Sequence, residues 1–109
     1  MKIQEITEKC KNLRIYEKRC IEDEYAELVI FGEDFDHWSR ILEDFLGSAT
    51  KPAGVKPSKN QKEITDRLGG IFRNQILFQK DYDDFIVLAM FWPWENGEYV
   101  TLKMAVISA

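Results

Sequence analysis

The chain has 109 residues, 45% hydrophobic and 31% charged, which suits one folded domain with its own core and excludes global disorder. A net charge of −4 speaks against a general nucleic-acid binder, whose footprint would be basic. No apolar run approaches the roughly 20 residues of a membrane-spanning helix, and the charged start Met1-Lys2-Ile3-Gln4-Glu5 lacks the apolar segment of a secretory signal, so a cytoplasmic protein without membrane contact is expected.

In chain order, Ile3, Ile6, Cys10 and Leu13 recur at helical spacing, which predicts a short amphipathic helix over about residues 2–11. Residues 13–22 mix Ile15, Tyr16, Cys20 and Ile21 with charges, the pattern of a half-exposed strand. After a turn at Glu22-Asp23-Glu24, residues 25–31 form a second strand whose apolar end places it inside the sheet. Phe35, Trp38, Ile41, Leu42, Phe45 and Leu46 then mark one broad stripe on a helix over 34–46, with Asp34 or Asp36 as N-cap and Gly47 beyond its end. Residues 47–58, with two prolines and two glycines, predict a mobile loop. Ser58-Lys59-Asn60-Gln61 matches a capping box and opens a short helix with Ile64 and Leu68 inward, stopped at Gly69-Gly70.

From Ile71 onward apolar residues dominate, broken only at 81–84 and at Asn96-Gly97, which predicts a three-stranded meander. Asn96-Gly97 suits a two-residue type I′ hairpin turn, and such a turn pairs Trp94 with Tyr99, Trp92 with Thr101, Met90 with Lys103 and Leu88 with Ala105. One face then collects Val87, Ala89, Phe91, Val100, Leu102, Met104 and Val106, joined by Phe72, Ile76 and Phe78 from the preceding strand. This is the expected core. The second face carries Arg73, Gln75, Leu77, Ile86, Leu88, Met90, Trp92, Trp94, Tyr99, Thr101, Lys103 and Ala105, too greasy for plain solvent surface and typical of interfaces. The expected fold class is α+β: an antiparallel sheet of about five strands in the order α-ββ-α-α-βββ, forming a single domain over 1–109 with helices mainly on one face.

Function is less legible, because the sequence carries no catalytic signature. Two readings follow from the second face. In the first, the chain is an interaction or assembly module that buries this face in a homodimer. In the second, a small anionic or aromatic ligand binds among Arg73, Gln75, Met90, Trp92, Trp94, Tyr99, Thr101 and Lys103, under the 47–58 loop, with Arg73 stacked on Trp92. The stretch from Lys51 to Lys62 has four lysines and no acid while the remainder carries −8, so Lys51, Lys56, Ser58 and Lys59 are candidates for holding an anion at the helix start. Cys10, Cys20 and the single His37 make a poor ligand set, so no metal and no cofactor are expected, and the two cysteines are expected as reduced thiols. Asp81, Asp83 and Asp84 read as turn and solubility residues, and an enzyme of unknown class acting through such acids and His37 is the third and least favoured reading.

Overall fold

The computed structural model describes residues 3–108. Its elements are α1 (Ile3–Lys9), β1 (Glu17–Ile21), β2 (Tyr25–Phe31), α2 (Phe35–Leu46), α3 (Lys59–Thr65), β3 (Ile76–Asp81), β4 (Phe85–Pro93) and β5 (Tyr99–Ser108). The strands form one antiparallel sheet in the order β1-β2-β5-β4-β3, so the N-terminal hairpin is joined to the rest through β5. This is the α+β arrangement and element order expected from the sequence.

Each helix forms where its pattern and end residues direct. In α1, Ile3 and Ile6 are buried, with Cys10 following them inward, while the charged side faces water. In α2, Trp38, Leu42 and Leu46 lie on the buried stripe, and Gly47 ends the helix at φ 83°, its N–H donating to Glu43. Asp34 does not cap α2 with its side chain; its carboxylate accepts from Arg14 Nε at 3.1 Å instead. The capping box forms in full at α3: Ser58 Oγ accepts from Gln61 N–H at 3.1 Å, and the Gln61 side chain accepts from Ser58 N–H at 2.9 Å.

The hairpin register is the one the sequence predicts, with Trp92 opposite Thr101, Met90 opposite Lys103 and Leu88 opposite Ala105. The turn that sets it is different. Gly97 N–H donates to Trp94 C=O at 3.0 Å, and among the described residues no non-glycine has positive φ, so Asn96 does not adopt the type I′ geometry. Asn96 acts through its side chain, which accepts from Glu98 N–H at 2.9 Å, while Gly97 alone takes the left-handed conformation at φ 72°. The β3–β4 turn is also tighter than the expected four-residue loop: Asp81 pairs with Ile86, and Tyr82 N–H donates to Phe85 C=O at 2.8 Å. That moves the register by two residues, an even step that leaves every side chain on its expected face.

On the core face, Phe78, Val87, Ala89, Phe91, Val100, Leu102 and Met104 pack with Ala26, Leu28 and Ile30 of β2, under α1 and α2. Phe72 is not among them and is 60% exposed. The strand expected from residue 71 begins only at Ile76, because residues 72–75 fold into a turn closed by Gln75 N–H to Phe72 C=O at 3.1 Å. On the second face a separate cluster buries Leu77, Leu88, Met90 and Ile71, with Ile64, Leu68 and Trp92 packed against it. The chain therefore supplies a lid for this face from its own residues 64–71.

Candidate functional site

The lid runs from α3 through a 3-10 turn at Asp66–Leu68 to Gly69, and its underside is fitted to the sheet. Gly69 lies at φ 96°, and a Cβ there would come within 2.6 Å of the Trp92 indole, so only glycine lets the chain cross the ring. Lys103 Nζ sits 3.6 Å from the centroid of the same ring and donates to Leu68 C=O at 2.9 Å. Burial holds the Lys103 ammonium below its usual pKa, with Arg19 adding to the effect, against the attraction of Glu27. The expected cation on Trp92 was Arg73; the structure puts Lys103 there, since Arg73 belongs to the 72–75 turn rather than to the sheet.

Arg73 and Gln75 are thus absent from the second face. Gln75 closes its own turn, its side-chain oxygen accepting from Phe72 N–H at 3.0 Å. Met90 is fully buried beneath the lid and Thr101 is 5% exposed, its hydroxyl accepting from Trp94 Nε1 at 2.9 Å. Trp94 and Tyr99 are half-buried, with ring centroids 5.1 Å apart, at the open end of the sheet. There Tyr99 also meets Tyr16 at 4.2 Å and Phe31 at 5.8 Å, while Arg14 lies 4.4 Å over the Phe31 ring. Tyr16 and Phe31 escaped the sequence reading because they reach this end from the other hairpin.

The anion candidates of the 51–62 stretch have separate fates. Lys51 is 1% exposed, and its ammonium donates to three backbone carbonyls, those of Pro52 and Arg73 at 2.9 Å each and that of Gln75. Burial and the nearby Arg73 push its pKa down. Its backbone also bridges Leu77, with Leu77 N–H donating to Lys51 C=O at 3.0 Å, and Gly54 N–H donates to Arg73 C=O at 2.8 Å. The 47–58 segment is therefore tied to the 73–77 segment by hydrogen bonds, in place of the expected mobile loop. Ser58 Oγ is committed to the capping box, and Lys59 is exposed.

Lys56 alone of those four lines a cleft. The cleft has a volume of about 630 Å³ and opens on the outer side of the lid. Lys56, Lys62, Arg73 and Asp66 supply its polar groups, Pro57, Ile71 and Phe72 its apolar ones, and Gly69-Gly70 the backbone between. Among the described residues, the ion pairs engage Lys11, Arg14 and Arg19, and none engages a cation of this cleft. Sequence reasoning counts Lys62 in the basic stretch without naming it as a site residue, assigns Phe72 to the core face and misses Asp66. The available signal was Gly69-Gly70 followed by Phe72-Arg73-Asn74, which reads equally well as a loop that raises its side chains off the sheet.

Elsewhere the chemistry is sparse. Among the described residues no three His, Cys, Asp or Glu side chains stand close enough to hold a metal. His37 is exposed on α2, and Asp81, Asp83 and Asp84 are exposed around the β3–β4 turn. Cys10 is a buried thiol whose pKa burial raises to about 11, which leaves it a poor nucleophile at neutral pH. Among the described residues no helix is long and apolar enough to cross a membrane. No protein family, curated protein or solved structure matches the chain.

Proposed function

We propose that this protein is a binding module for a small anion that carries an apolar or aromatic part, held in the cleft between Lys56 and Arg73. The observation that carries this reading is three cations that make no ion pair among the described residues, set beside Pro57, Ile71 and Phe72, in a chain that has 19 acidic residues. A few polar groups set in an apolar lining, within a volume of several hundred Å³, is the usual make-up of a small-molecule site. The bonds from Lys51 and Gly54 to the Arg73 carbonyl favour it further, since they tie the chain just before Lys56 to Arg73 without any ligand. Phenyl phosphate, added at millimolar concentration to the isotope-labelled protein, is expected to shift amide resonances of residues 56–73, and Arg73→Ala is expected to weaken that binding severalfold. An unperturbed spectrum, or equal affinity in the variant, would overturn the reading.

A second reading, self-association as a homodimer, is favoured by the aromatic group at the open end of the sheet, where Tyr16 remains 50% exposed beside Phe31, Tyr99 and Trp94. The buried Met90 and the lid over Trp92 leave this end as the part of the second face on which two copies would meet. Sedimentation at micromolar concentration should then give a dimer that Tyr16→Glu dissociates; a monomer throughout counts against it. Two free thiols, Cys10 and Cys20, favour a reducing cytoplasm for either reading.

A further inference from the structure

We propose that the ligand of the cleft is a nucleoside phosphate, with its phosphates against Arg73, Lys56 and Lys62 and its base on the ring of Phe72; this rests on the anion-binding reading above. Three features of the cleft define the ligand. The first is charge: three cations against the single carboxylate of Asp66 suit a group bearing two or more negative charges, more than one carboxylate supplies. Arg73 offers the planar fork that matches phosphate oxygens, and the two lysines act as point charges around it.

The second feature is Phe72. At 60% it is the most exposed large hydrophobic residue among those described, and it stands at the cleft. The 72–75 turn holds it there, through Phe72 N–H to the Gln75 side chain at 3.0 Å and Gln75 N–H to Phe72 C=O at 3.1 Å. A chain that leaves a phenylalanine in water forgoes a sizeable burial energy, and an aromatic ring beside free cations provides the stacking surface a nucleobase uses. The third feature is Asp66. One carboxylate among cations weakens binding of a bare anion, but it accepts hydrogen bonds from the hydroxyls of a ribose or the amino group of a base. Negative charge, a flat ring and neutral donors on one small molecule describe a nucleoside phosphate, and about 630 Å³ accommodates one. The overall charge of −4 disfavours a nucleic-acid polymer at this position and leaves a free nucleotide as the source of this chemistry.

The test compares ADP, inorganic pyrophosphate and adenosine by calorimetry and amide shifts, without added divalent metal, on the intact chain and on Phe72→Ala and Asp66→Asn. Both substituted side chains are exposed, so both variants should fold, and their unperturbed spectra check it. ADP is expected to bind at least about tenfold more tightly than pyrophosphate, the gap closing in Phe72→Ala and narrowing in Asp66→Asn. Pyrophosphate binding as tightly as ADP, or a gap that survives Phe72→Ala, overturns the nucleotide proposal and leaves the anion site standing. Failure of ADP, pyrophosphate and phenyl phosphate alike to shift the cleft resonances overturns both.

Discussion

The two faces of the sheet are covered by different means. On the core face, α1 and α2 lie over a broad apolar surface, and stability there comes from side-chain packing: Phe91 contacts Phe35 and Phe78 edge-on at centroid distances of 4.7 and 6.0 Å. On the second face the cover is a short helix and two turns, held by polar devices as much as by packing. These are the Ser58 capping box, the Lys51 ammonium among three carbonyls, and Lys103 bonded to Leu68 over the Trp92 ring. Packing tolerates little change of shape, whereas a strap held by hydrogen bonds can carry exposed residues on its outer side. The cleft lies on that outer side. The side of the molecule with the smaller core is the one free to present a site.

Substitutions in the two covers should separate them. The largest effect belongs to Phe91→Ala, expected to cost about 3–5 kcal/mol of unfolding free energy in a denaturant titration, because the ring is fully buried and the helices above cannot collapse into the space. A loss below about 1 kcal/mol would mean that the core face is not the main source of stability. Next, Lys51→Met removes the donor shared by the Pro52, Arg73 and Gln75 carbonyls and is expected to cost about 1–3 kcal/mol. Its sharper readout is hydrogen exchange: amides of 50–55 and 72–77 should lose protection while those of β2, β4 and β5 keep theirs. Uniform loss across the sheet would show that the strap and the core open together. The smallest effect lies at Glu27, on the part of the second face the lid leaves open. Burial alone would raise its carboxyl pKa, but hydrogen bonds from Tyr25 at 2.8 Å and Arg19 at 3.2 Å, together with the positive charges of Lys103 and Arg19, outweigh it and hold the pKa below the usual value. A depressed folded-state pKa stabilises above the ordinary carboxylate range and ceases to do so as pH falls through the folded value. Glu27→Gln should therefore lower the unfolding free energy near neutral pH by about 0.2–1 kcal/mol, as expected for a half-exposed pair, and the difference should vanish in strong acid. A difference independent of pH would assign the effect to packing.

Much of this architecture was readable one segment at a time. The spacing of Trp38, Leu42 and Leu46, the Ser58/Gln61 box and the alternation along β4 and β5 are set by neighbours in sequence, so pattern finds them. The hairpin register survived a wrong turn type, because apolar alternation on both strands admits few alignments and a change by an even number of residues preserves the faces. The site was less legible. Lys51 resembles its neighbours Lys56 and Lys59 in the sequence, yet it is buried while they are exposed, since two of the carbonyls that accept its hydrogen bonds lie 22 and 24 residues away. Arg73 and Phe72 looked like strand residues by alternation, and the backbone ties of residues 50–54 to 73–77 hold them in a turn instead.

By itself, then, the sequence determined the helices, the antiparallel strands, their facing and the composition of a second apolar face that needed a cover. Only the folded chain reveals that the cover is its own 64–71 segment and that Lys51 turns inward while Lys56, Lys62 and Arg73 line a cleft. The reason is physical: side-chain period and end-capping act over a few residues, whereas the lid, its lysine tie and the cleft depend on hydrogen bonds and packing between segments that only folding brings together.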